Sequence, residues 1–138
     1  MRLPLPASPV PRFAVLQLAG FVTLTLVAWM VGARWSSALT GRVEALLTLN
    51  LPFVWAAFAA WRAPLRRWSH AAPMLALAVL IHMVVFHLPL YLLFGVRMNP
   101  VMLRELAGIA GNLALGYAIA IAAVLLLTGI LKRNGGLA

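Results

Sequence analysis

The chain has no cysteine and no aspartate, and its only acidic residues are Glu44 and Glu105. Lack of cysteine excludes disulfides, thiolate metal sites and thiol catalysis. With no acidic pair, general acid–base chemistry between two carboxylates has no residues to run on. His82 and His87 lack the carboxylate or third histidine that a zinc site requires. There is no glycine-rich phosphate cradle either. These gaps argue against an enzyme acting alone, and the chain's own residues predict no cofactor. Charge is scarce as a whole: 9% of the 138 residues are charged, against about a quarter in soluble domains.

What is present is apolar. A hydrophobic content of 64% and a mean hydropathy of +1.01 place the chain among integral membrane proteins. A spanning helix needs about 20 apolar residues, so this length holds one domain of about four spans. The predicted fold class is all-α, an up-down bundle of four transmembrane helices over residues 1–138. The spans fall at approximately 13–33, 43–61, 72–96 and 101–131. A net charge of +9 could suggest nucleic acid. Its ten arginines and one lysine sit at the ends of the apolar runs, however, where they anchor helices to headgroups, so the predicted partner is the bilayer and no nucleic acid.

Local signals set the boundaries. Prolines at 4, 6, 9 and 11 predict an extended arm over the first twelve residues. The run that follows exceeds the roughly 7 to 15 apolar residues of a cleaved signal peptide, so it reads as a retained span. Thr40 can cap the second helix, with Glu44 near the positive end of its dipole. Trp61, Arg62, Arg66, Arg67 and Trp68 mix basic and aromatic side chains as interface anchors do, and an anionic-lipid site is the sharper alternative. Pro89 predicts a bend within the preceding turn, because its ring removes one hydrogen bond and crowds the carbonyl of Val85. Asn99 and Pro100 form a helix start, with Asn capping and Pro in the first position. Lys132 and Arg133 followed by Asn134, Gly135 and Gly136 predict a cationic last turn and a glycine stop.

Arg2, Arg12, Arg62, Arg66, Arg67, Lys132 and Arg133 fall on one side of this threading, and Arg34, Arg42, Arg97 and Arg104 on the other. The richer side is the cytoplasmic one, so both termini are expected there. The compact Arg- and Ala-rich composition suggests a bacterial protein, multi-pass in the inner membrane.

Helix rise puts Thr25, Asn50, His87 and Asn112 about 10 to 12 Å below the outer end of their spans. Four polar side chains from four helices are therefore expected in one layer, turned inward as interhelical glue or as a small polar pocket reached from outside. His87 is the group suited to bind a ligand or pass a proton, with one ring nitrogen donating and the other accepting. His82 lies five residues earlier, about 140° around an α-helix, and should point elsewhere. Gly108, Asn112, Gly116 and Ala120 recur every fourth residue and predict a close-packed seam, within the monomer or with a second copy or a partner membrane subunit.

Three functions fit these residues. The first is an accessory or assembly subunit working through helix contacts. The second is a small carrier or binding protein with a polar intramembrane pocket for a proton-coupled or hydrophobic ligand. The third is a haem- or quinone-associated anchor subunit, and its haem would have to be shared with another chain, because no second histidine stands on a facing helix.

Overall fold

The structure, a computed structural model, describes residues 7–34, 42–43, 46–63, 68–93, 95 and 99–135. All of its regular structure is helical, in four helices. Helix α1 is Pro9–Arg34, and α2 is a π-turn, Leu46–Asn50, continuing into Leu51–Arg62. Helix α3 opens with a 3-10 turn, Trp68–His70, then runs as Ala71–His82, a π-turn over Met83–His87, and Leu88–Leu93. Helix α4 is Pro100–Gly135. Three stretches are long and apolar enough to cross a membrane: Pro9–Val31, Trp68–Leu93 and Pro100–Gly129. That number is what a multi-pass membrane protein shows.

The ends of the helices follow from capping and proline chemistry. Asn99 accepts a hydrogen bond from the Met102 N–H at 2.8 Å, which is the expected cap with Pro100 in the first helical position. The expected arm is shorter than the prolines suggested, because α1 already includes Pro9 and Pro11. Amides in a first turn have no intrahelical acceptor, so a proline there forfeits nothing. Arg12 is the first to close the turn, its N–H donating to the Ser8 carbonyl at 3.2 Å. Likewise α4 continues through Gly135, so the first glycine of the final pair is not the stop. Residues 1–6, Thr40, Glu44, Arg66, Arg67, Arg97 and Gly136 lie outside the described residues.

Both prolines inside a helix are preceded by a widened turn. The π-turn at Leu46–Asn50 ends two residues before Pro52, and that at Met83–His87 ends two residues before Pro89. In the second, the Leu88 N–H donates to the Met83 carbonyl, five residues back. An extra residue in the turn moves the crowded carbonyl away from the proline ring, which is how the chain meets the disturbance expected before Pro89.

Helices α1 and α4 each pack against both α2 and α3. Small residues allow the close approaches. A Cβ on Gly20 would overlap the ring of Trp55, whose Nε1 donates to the Leu16 carbonyl at 2.9 Å and ties α2 to α1. A Cβ on Gly116 would come within 2.5 Å of the Phe53 ring, so α4 meets α2 there. Near the start of α1 and α3, Phe13, Ala59, Ala60, Ala63, Met74, Ala78 and Leu125 are buried together, and Nε of Arg12 and Nδ1 of His70 are buried at the same helix starts.

Candidate functional site

Every fourth residue of α1 from Phe13 to Thr25 faces the interior, which buries Phe13, Gln17, Phe21 and Thr25. Three of these meet apolar surroundings or their own backbone. Gln17 is different: it is 0% exposed, and neither its amide oxygen nor its amide nitrogen has a hydrogen-bond partner. It lies beside the Tyr117 hydroxyl of α4, out of hydrogen-bond geometry. That hydroxyl is bonded instead to Nδ1 of His82 on α3, at 2.8 Å, and both side chains are 0% exposed. Phe21 closes over the His82 ring at a centroid distance of 4.5 Å.

The His82–Tyr117 bond determines what the other ring nitrogen has to do. With the tyrosine O–H donating, Nδ1 accepts and the ring proton sits on Nε2; with Nδ1–H donating, Nε2 is a bare acceptor. In both cases His82 Nε2 is a buried polar atom without a partner. His87 Nε2 shares that condition. The two rings are stacked, with centroids 5.7 Å apart and an interplanar angle of 18°. Tyr91 continues the stack beyond His87, 6.5 Å away and inclined by 25°.

This stacking corrects the expectation that His82 and His87 point apart. The offset of about 140° holds for an unbroken α-helix. A π-turn bonds each residue to the fifth one back and so brings i and i+5 onto one side. Met83–His87 is such a turn, and the two histidines bracket it. A line of polar rings therefore runs from His82 in the core through His87 to Tyr91, both half-buried, near the end of α3. In the opposite direction the apolar core around Phe13, Met74 and Ala78 closes the bundle.

The expected layer of Thr25, Asn50, His87 and Asn112 is not assembled. Thr25 is buried, but its hydroxyl donates to the Phe21 carbonyl of its own helix at 2.9 Å. His87 belongs to the cluster just described. Asn50, the last residue of its π-turn, is exposed, and so is Asn112. The expectation rested on depth along the spans, whereas the side a residue faces depends on helix rotation. Tyr117 faces the core and Asn112 lies five residues before it, about 140° away around α4.

The seam on α4 divides for a related reason. Each four-residue step advances about 40° around an α-helix, so Gly108 to Ala120 winds through about 120°. Gly116 is seated against Phe53 inside the bundle and Ala120 is half-buried, while Gly108 is exposed with no atom within 4 Å of a Cβ placed on it. Of the expected interface anchors, Trp61 and Arg62 are exposed at the end of α2 and Trp68 at the start of α3. Among the described residues, no three histidine or acidic side chains are grouped to hold a metal ion.

Gln17 and Tyr117 were not singled out by sequence patterns. Gln17 is the only glutamine in the chain and interrupts an apolar run, which is the one signal that could have drawn attention to it. No protein-family model, curated protein or solved structure matches this chain.

Proposed function

We propose that the chain is a small four-span protein of a bacterial inner membrane, with both termini cytoplasmic, that binds a hydrophobic ligand by its polar head in the His82–Tyr117–Gln17 cluster. The described part of α2, Leu46–Arg62, has a length of roughly 25 Å by helix rise, close to the hydrocarbon thickness, which supports counting it as the fourth span. The excess of arginine and lysine at the termini and the α2–α3 connection supports the orientation.

One observation carries the binding role. Gln17 Nε2 and Oε1, His82 Nε2 and His87 Nε2 are buried polar atoms without partners, and they sit around a single hydrogen-bonded pair. Each such atom costs about 1 to 3 kcal/mol if left unpaired. A carbonyl or hydroxyl head entering between α1 and α3 would satisfy them, and an amide together with imidazoles offers it both donors and acceptors. Tyr117 fixes the orientation of His82, and the stacked His82 and His87 are suited to exchange a proton with the bound head. Entry is from the α3 C-terminal end, the outer side in this orientation, because the line of polar rings from His82 through His87 to Tyr91 runs toward that end. The accessory-subunit role draws its support from a different place, the exposed Asn112 on α4.

Purification into native-lipid nanodiscs, followed by mass spectrometry of co-purifying small molecules, tests this function. The wild-type protein should carry a hydrophobic molecule that His82→Gln and His87→Gln lose while still folding to monodisperse protein with wild-type helix content. Identical small-molecule content in all three would contradict it.

A further inference from the structure

Helix α4 turns one face away from the bundle. Around it lie Val101, Gly108, Leu115 and Ile119, all exposed, with Arg104 and Glu105 exposed on either side. Asn112 lies on the same face, exposed, about 18 Å along a helix that is apolar enough to span a membrane. At that depth the neighbour of an exposed side chain is hydrocarbon, which offers an amide neither donor nor acceptor. We infer that this face of α4 pairs with the same face of a second copy in a parallel, twofold-symmetric dimer, with Asn112 bonded to Asn112 across the axis.

The features of the face are self-complementary, which is why the occupant is another copy of the chain. An amide is both donor and acceptor, so two asparagines related by a twofold axis satisfy each other. Gly108 and Gly111 have nothing within 4 Å of a Cβ placed on them, so the two backbones can approach until the short asparagine side chains meet. The charges agree with the same geometry. Measured around α4 from Gly108, Arg104 lies about 40° to one side and Glu105 about 60° to the other. A twofold axis parallel to the helices places the left flank of one helix beside the right flank of its mate, so Arg104 of each copy stands beside Glu105 of the other. An antiparallel pair would instead put those charges at opposite faces of the membrane. Glu105 is exposed on this face, which leaves it available for this contact.

The absence of native cysteine makes the test clean. Single cysteines are introduced at Leu115, on the proposed axis and 65% exposed, and at Leu80, near the middle of α3 and 57% exposed. The full chain is then oxidised in native membranes with copper phenanthroline. Leu115→Cys should give a disulfide-linked dimer and Leu80→Cys should not. Adding Asn112→Ala to Leu115→Cys should abolish the dimer, and Asn112→Gln should retain it. Glu105→Arg should weaken cross-linking, and the charge swap Arg104→Glu with Glu105→Arg should restore it. Equal cross-linking at Leu80 and Leu115, a dimer indifferent to Asn112→Ala, or a cross-link from Leu115→Cys to a different protein would each overturn the inference.

Discussion

His82 and Tyr117 are 35 residues apart in the chain, yet a 2.8 Å hydrogen bond joins Nδ1 of the one to the hydroxyl of the other. Tyr117→Phe keeps the ring that packs against Phe53 at a centroid distance of 4.8 Å and removes only the hydroxyl, so the whole effect falls on His82. The variant should lose about 1 to 2 kcal/mol, measured by unfolding in mild detergent, because it leaves a second buried ring nitrogen without a partner. An unchanged stability would mean that the 2.8 Å contact does not restrain the histidine. Asn99→Ala tests a more local bond. Loss of the cap on the Met102 N–H should cost about 1 kcal/mol and show as faster amide exchange confined to the first turn of α4. That cap was legible in the sequence because it needs only neighbouring residues. The Gln17, His82 and Tyr117 grouping was not, because it depends on how three helices are rotated about their axes.

At the scale of helices, the prolines decide which side chains meet. Pro89→Ala removes the clash that the π-turn accommodates, so the helix is expected to relax to the α pattern and turn His87 away from His82. Solid-state NMR of ring-labelled histidine should then lose the His82–His87 contact seen at 5.7 Å, and its persistence would show that something other than Pro89 holds the π-turn. Gly20→Leu and Gly116→Leu probe the two close approaches. Each should destabilise the bundle by about 1 to 3 kcal/mol, and Gly20→Leu should also change Trp55 fluorescence by displacing its ring from the Leu16 carbonyl. The apolar runs announced the helices reliably, since length and hydropathy are properties of sequence alone. The π-turns went unanticipated although the disturbance before Pro89 was expected, because a proline allows a bend or a widened turn and only packing selects between them. The arm was overextended for the opposite reason: prolines at 9 and 11 that look like breakers are harmless once they fall in a first turn.

Across the whole molecule, a line of polar rings runs from His82 in the core through His87 to Tyr91 toward the C-terminal end of α3, and on the other side of His82 the buried side chains Phe13, Met74 and Ala78 pack together. This asymmetry makes the site one-sided. It is also the claim on which the proposed function most depends, since both the route of entry and the orientation in the membrane enter it. Cysteine accessibility measures it directly in a chain that has no cysteine of its own. Tyr91→Cys, His87→Cys and Ala78→Cys are expressed separately, and a membrane-impermeant thiol reagent is applied to right-side-out and to inverted membrane vesicles. Tyr91→Cys and His87→Cys should be labelled from the outer side, Tyr91→Cys the faster, and Ala78→Cys from neither. Labelling of His87→Cys from the cytoplasmic side, or no labelling of Tyr91→Cys and His87→Cys from the outer side, would contradict the account.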